Sequence, residues 1–138
     1  MSTFLVEIVT PERKVYGEQA RMVVVTGVEG QLGIMPNHIP LVTPLRIAPV
    51  TIKRDGGSDD VIAVNGGFIE VRKDKVVILA ESAERAEDIN VERAEAAKQR
   101  AAQRLSLAKS DEIDYRRAEL SLQRAMNRLN VTHNKHIN

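Results

Sequence analysis

The first part of the chain is a series of short apolar runs rich in Val and Ile. They read "FLVEIV" (4–9), "RMVVVT" (21–26), "APVTIK" (48–53), "VIAV" (61–64), "FIEV" (68–71) and "KVVILA" (75–80). Each alternates or runs continuously over a few residues and is bounded by turn chemistry such as "RDGG" and "RKDK", which predicts strands. Many short strands at close spacing predict an all-β sandwich or a small barrel. From about Ala83 the residues become Ala, Glu, Arg, Gln and Leu, good helix formers with a period near 3.6. Two helices are predicted, over about 90–107 and 112–130, with Asp88 or Asn90 capping the first and Ser110 or Asp111 the second. The break "SLAKSDEID" (106–114) is too short for a linker, so the helices should fold back as an antiparallel hairpin. The end, "NVTHNKHIN" (130–138), reads as a frayed tail. The expected class is α+β, with a β domain over 1–84 and a helical hairpin over 85–138.

Composition sharpens this division. All 8 glycines lie at or before Gly67 and all 5 prolines at or before Pro49, so turn formers stop halfway along the chain. With 138 residues the chain can bury a core without covalent staples. The absence of cysteine excludes disulfides and thiolate metal sites and suits a reducing cytosolic setting. The opening "MSTFLVEIVTPERK" has too short an apolar run for a membrane span and lacks a signal-peptide pattern. A soluble, unexported protein is expected, and the glycosylation-like "NVT" at Asn130 then reads as accidental. The net charge of +1 conceals an asymmetry. Residues 1–89 hold 10 Lys/Arg against 13 Asp/Glu, and residues 90–138 hold 10 against 6. The basic half suits acidic partners or phosphates.

Helical geometry of about 100° per residue places Val91, Ala94, Ala97, Ala101, Leu105 and Ala108 in one apolar stripe. Tyr115, Ala118, Leu122, Ala125 and Leu129 form the second. Arg93, Arg100 and Arg104 border the first stripe, and Arg117, Arg124 and Arg128 the second, both with the spacing i, i+7, i+11. In each helix the arginines lie counterclockwise of the stripe. An antiparallel pairing therefore brings all six to one side of the seam, with Glu112 and Glu119 near the other border. Arginine stems commonly lie over an apolar seam with their heads in water, so a solvated face competes with an anion site. A stripe made mainly of alanine buries little, roughly 0.8 kcal/mol per CH₂-sized group, which predicts a hairpin that can open.

The segments "EGQLGIMPNHIPLVTPL" (29–45), "NGGFIEV" (65–71) and "AERAEDINVERA" (83–94) resemble the epsilon subunits of bacterial F-type ATP synthases. The resemblance runs through nearly the whole chain, and "RRAELSLQRAMNRL" (116–129) is similar to forms from Bacillus-like bacteria. It implies a β-sandwich followed by a two-helix hairpin. It also implies a non-catalytic rotor subunit, peripheral on the cytoplasmic side of the bacterial cell membrane and touching the membrane only through the complex. The implied partners are the gamma subunit and the c-ring, met through the sandwich, so that proton-driven rotation is coupled to ATP synthesis. The helices can extend into the alpha/beta catalytic head and block ATP hydrolysis.

In several bacterial members the compact hairpin binds ATP as a regulatory ligand, with or without Mg²⁺, and no catalytic cofactor or protein-bound metal is implied. The family motif is Ile or Leu, Asp, any two residues, Arg, Ala. Here it reads Ile89, Asn90, Val91, Glu92, Arg93, Ala94. Asn90 replaces the Asp but leaves an amide able to hydrogen-bond adenine or ribose. The other matching positions of the implied nucleotide site are Glu84, Arg100, Arg124 and Arg128. Arg104 and Arg117 are left to meet acidic residues of the catalytic head. Glu29, Gln31 and His38 match positions that face the c-ring, in a polar, glycine-rich stretch, "GVEGQLGIMPNH", that suits a surface contact. His38 alone reads more readily as a satisfied turn histidine.

An independent enzyme is not expected. There is no Gly-rich phosphate loop ending in Lys-Ser/Thr and no cysteine nucleophile, and His133 and His136 fall in the tail. The rival from another class is a nucleic-acid-binding module built on the basic helices. Against it, the 2 Phe and 2 Tyr (Phe4, Phe68, Tyr16, Tyr115) are scattered and form no stacking platform, so no nucleic-acid partner is expected.

Overall fold

The computed structural model describes residues 2–107 and 112–137. Eight strands come first: β1 (Phe4–Val9), β2 (Lys14–Ala20), β3 (Met22–Gly27), β4 (Gly30–Ile34), β5 (Leu41–Lys53), β6 (Asp60–Val71), β7 (Lys75–Ala80) and β8 (Ala83–Arg85). A single 3₁₀ turn, Ala86–Asp88, leads to α1 (Val91–Leu107), and α2 (Glu112–Ile137) follows. The order in the sheet is β2-β1-β7-β6-β5-β3-β4, with β8 paired to β6. All pairs are antiparallel except β1 with β7.

Two long strands serve both layers. The first half of β6 pairs with β8 through Ile62, Ala63 and Val64, and its second half pairs with β7 from Gly67 to Val71. The partner changes at Gly66 and Gly67, with φ of 85° and 134°. A Cβ at Gly67 would stand 2.1 Å from the Leu79 carbonyl oxygen, so only glycine permits this approach. The alternating buried positions of β1, β3 and β7 close on one core containing Val6, Ile8, Val23, Val25, Ile52, Ile62, Ile69 and Ile78. The expected β-sandwich and following helical pair are both present.

Several boundaries differ from the reading of the sequence. The runs 61–64 and 68–71 are one strand, because the glycines twist β6 without ending it. Strand β5 starts at Leu41 rather than near Ala48 and contains Pro44 and Pro49. Pro49 falls between Leu45 and Thr51, where β5 has no β3 partner in register, so its missing N–H disrupts no ladder there. Strand β2, "KVYGEQA", was hidden by its polar, glycine-containing edge pattern. The polar, glycine-rich stretch 27–38 is in part a tight hairpin, with Gly27 paired to Gly30 across Val28 and Glu29.

The tail is also different. Helix α2 continues to Ile137 instead of fraying from Asn130, and Val131 is fully buried. Val131 packs with Ala63, Ala86, Ile89 and Ala94 in a second apolar cluster, supported by Val61 and Leu129. That cluster seats α2 on the outside of β6. Ser110, Asp111 and Ala108, expected as caps and as a stripe residue, lie outside the described residues.

Candidate anion site of the helical hairpin

Asn90 starts α1 as its N-cap. Its Oδ1 accepts the Arg93 N–H at 3.0 Å, and its carbonyl accepts the Ala94 N–H at 3.0 Å. The capping role thus falls to Asn90 rather than Asp88. The cap occupies the amide oxygen and leaves Nδ2 to donate elsewhere. Ala94 and Ala101 on α1, with Ala118 and Ala125 on α2, close the seam between the helices. Val91 and Tyr115, assigned to the stripes by periodicity, are exposed where the seam ends. The two helices run antiparallel, since the start of α1 shares a cavity with Arg128 and its end shares one with Arg117.

A cavity of about 580 Å³ lies at the base of the hairpin. Glu84 enters it from β8, Ile89 and Asn90 from just before α1, Arg93, Ala94 and Arg100 from α1, and Arg128 from α2. Asp88, Ala96 and Ala97 complete the lining. Seven of the eight residues expected at the nucleotide site therefore meet in one place. The Arg128 Nε donates to a Glu84 carboxylate oxygen, an ion pair that ties α2 to the sandwich. Arg93 and Arg100 make no ion pair among the described residues. The volume is in the range of small-ligand sites, and unpaired guanidinium groups beside an amide donor suit an anionic, oxygen-rich ligand.

The eighth residue is elsewhere. Arg124 lines a separate cavity of about 420 Å³ between α2 and the sandwich, with Arg46, Arg116 and Glu81, and its Nη2 donates to Ser121 Oγ at 3.1 Å. Arg104 and Arg117 share a third cavity, about 450 Å³, with Asp114 and Ser121. The six arginines thus divide among three places. Periodicity gives an azimuth on a helix, but eleven residues span roughly 16 Å of axis, too far for one cavity. The c-ring candidates also separate: Glu29 is at the β3–β4 turn, Gln31 is exposed on β4, and the His38 Nδ1 bonds the Ile39 carbonyl at 2.8 Å.

Another cavity, about 390 Å³, lies beside Tyr16, Asp60 and Arg85, three groups that already have partners. The Tyr16 hydroxyl donates to Asp60 at 2.6 Å. The Arg85 guanidinium lies 5.1 Å from the Tyr16 ring centroid and donates twice to the Val15 carbonyl. Burial and the Asp60 carboxylate raise the phenol's pKa above its ordinary value. The residues that reading the sequence missed at the hairpin are Asp88 as a lining group and Asn127, a buried polar side chain on α2. Of the aromatics, Phe4 and Tyr16 are buried, while Phe68 and Tyr115 are exposed on different elements.

The family described as ATP synthase, Delta/Epsilon chain, beta-sandwich domain matches residues 3–86. Its long alpha-helix domain matches residues 87–133. The chain belongs to the ATP synthase delta/epsilon chain family. It is 60% identical over 106 residues to the ATP synthase epsilon chain of Brevibacillus brevis, covering 77% of this chain and 80% of that one. The epsilon chain of Alkalihalophilus pseudofirmus is 56% identical over 109 residues, covering 79% and 81%. As an epsilon-type chain it is a non-catalytic subunit.

Two solved assemblies share the fold. One is the Euglena gracilis mitochondrial ATP synthase, OSCP/F1/c-ring, with a TM-score of 0.79 at 20% identity over 92% of this chain and 79% of that one. The other is the Tetrahymena thermophila mitochondrial ATP synthase central stalk/c-ring, with a TM-score of 0.57 at 13% identity over 95% and 97%. Among the described residues of this family member, no helix is long and apolar enough to cross a membrane, and no acidic or histidine cluster could hold a metal ion.

Proposed function

We propose that this chain is the regulatory epsilon-type rotor subunit of a bacterial ATP synthase, and that its docked hairpin binds ATP as a ligand rather than a substrate. The observation that carries this reading is the 580 Å³ cavity, because its walls come from three pieces of the chain: Glu84 of the sandwich, the start of α1 and Arg128 of α2. Such a cavity exists only while the hairpin is folded back and seated. A ligand held there stabilises the compact state by mass action, about 2.7 kcal/mol when its free concentration is 100 times Kd. Phosphate oxygens would meet Arg93 and Arg100, and Asn90 Nδ2 would donate to the nucleoside. Any accompanying Mg²⁺ would be held by the phosphates and water.

In the same reading the sandwich meets gamma and the c-ring, with Glu29, Gln31 and His38 on the c-ring side. The complex is peripheral on the cytoplasmic face of the bacterial cell membrane. When ATP is scarce the weakly seamed helices leave the sandwich and extend along gamma. Arg104 and Arg117 are then available to acidic residues of the alpha/beta head, which brakes hydrolysis.

Calorimetric titration of the isolated chain with ATP, with and without Mg²⁺, tests the site. Arg93→Ala combined with Arg128→Ala should weaken binding by about tenfold or more, whereas Arg124→Ala, outside the cavity, should matter less. Equal affinity in the wild type and the Arg93/Arg128 variant would sink the assignment. Deleting residues 89–138 should raise ATP hydrolysis by the reconstituted complex, and unchanged hydrolysis would argue against a brake.

A further inference from the structure

Three polar residues are buried among the described ones: Asn65, Asn127 and Thr132. Thr132 is satisfied within α2, its hydroxyl donating to the Arg128 carbonyl at 3.0 Å. The two asparagines instead join separate parts of the molecule. The Asn127 Nδ2 donates to the Val64 carbonyl of β6 at 3.1 Å and to the Asn65 Oδ1 at 3.3 Å. The Asn65 Nδ2 in turn donates to Ser82 Oγ, between β7 and β8, at 2.9 Å.

The orientations follow from one fixed group. The Val64 carbonyl can only accept, so Asn127 must present Nδ2 to it, and Asn65 must then turn its oxygen to Asn127 and its nitrogen to Ser82. Among the described residues, Asn127 Oδ1 is left buried with no hydrogen-bond partner. A buried acceptor without a partner is unfavourable, and it would regain water whenever α2 left the sandwich.

Apart from the Arg128–Glu84 ion pair, the rest of the seat lacks this directionality. Ala63, Ala86, Ile89, Ala94 and Val131 form a small apolar cluster, and apolar contacts of that size tolerate sliding. A slip of one residue moves a helix by about 1.5 Å and turns it by about 100°, which would break both Asn127 bonds. The same slip would carry Arg128, the next residue, away from Glu84.

We infer that the Asn65–Asn127 amide pair is the register latch of the hairpin, and that Asn127 is a positioning residue that holds Arg128 at the anion cavity. A buried polar pair that specifies one register at some cost in stability is a known use of such groups. The consequence for nucleotide rests on the proposed ATP reading, whereas the register itself does not.

Three full-length chains test the latch: wild type, Asn127→Asp, and the double variant Asn65→Val with Asn127→Leu. Nuclear Overhauser contacts between the Val131 and Ala63 methyls report the register, amide exchange reports docking, and calorimetry reports ATP affinity. Asn127→Asp keeps the side chain's shape but, ionised, has no donor for Val64. It should lose the Val131–Ala63 contact and about tenfold in ATP affinity, while the Ile78 methyls of the sandwich stay native. The double variant offers matched apolar surface, so α2 should still exchange slowly. Its Val131–Ala63 contact should nevertheless weaken or split into several sets, and ATP affinity should again fall by about tenfold. A role confined to stability would leave affinity unchanged in a docked double variant. A double variant with a single wild-type contact set and wild-type affinity would overturn the latch, and so would Asn127→Asp that docks like wild type. If the wild-type chain binds no ATP, the nucleotide reading fails by itself, and the methyl contacts still decide the latch.

Discussion

Inside the sandwich, Ile8, Val23, Ile52, Ile62, Ile69 and Ile78 are essentially closed to solvent, whereas the seam of the hairpin is closed by Ala94, Ala101, Ala118 and Ala125. Each large side chain contributes about 1.5–3 kcal/mol on burial, but an alanine methyl contributes only about 0.8 kcal/mol. The sandwich therefore has its own core and strand ladders on both layers. The hairpin depends on a narrow seam, one small apolar cluster against β6, the Glu84–Arg128 pair and the amides at Asn65 and Asn127. Unequal stability lets one half stay rigid against its neighbours while the other detaches.

The largest effect should come from Gly67→Ala. A methyl at φ 134°, 2.1 Å from the Leu79 carbonyl oxygen, has no place to go, and a loss on the order of 4 kcal/mol is expected. Urea unfolding should show both halves failing together, since β6 carries both layers and the seat of α2. Next, Ile62→Ala should destabilise the sandwich by about 3 kcal/mol through the cavity it leaves. Val131→Ala sharpens the comparison from the other side. It should cost about 1 kcal/mol of docking and speed amide exchange in α2, with β1, β6 and β7 still protected. Ala101→Gly should loosen α1 by about 1 kcal/mol, read as lost helical ellipticity before the sandwich unfolds.

The smallest effect concerns acid. The Glu7 carboxylate takes ion pairs from Lys14 and Lys75, each at 2.6 Å, and these hold its pKa at about 2, below the usual 4.5. The folded value is the lower one, so the pairing stabilises the fold above the ordinary pKa and is lost as pH falls from about 4.5 toward 2. Glu7→Gln should remove that part of the acid limb, measured by thermal unfolding against pH. A variant with the same acid limb as wild type would show that β2 and β7 are held without these pairs.

The parts of the fold legible along the chain were those with a strong local signature. The alternation of "FLVEIV" and "KVVILA", the loss of Gly and Pro after Gly67, and the alanine-rich period of 90–107 each reflect one dominant local rule. Polar edge strands such as β2 carry no such signature. Pro44 and Pro49 look like breakers until the partner strand is in place. Of the site, the arginine azimuths were legible, and the resemblance to a family selected Glu84, Ile89, Asn90, Arg93, Ala94, Arg100 and Arg128, which meet in one cavity. Arg124 was not separable from Arg128 by spacing, because two residues four apart differ by only about 40° of azimuth. Asn127 gave no signal, since a polar residue beside an apolar stripe reads as solvated until something covers it.

By itself the amino-acid order determined a β-rich half followed by two basic, alanine-seamed helices, because strand and helix periods and turn residues act within a few positions. Only the tertiary structure decided that β6 is one strand shared by two layers, that Val131 is core rather than tail, and that the arginines divide among three cavities. Those outcomes depend on distance and direction between residues far apart in the chain: the 2.1 Å gap that excludes a side chain at Gly67, and the Val64 carbonyl that accepts from Asn127 across 63 positions.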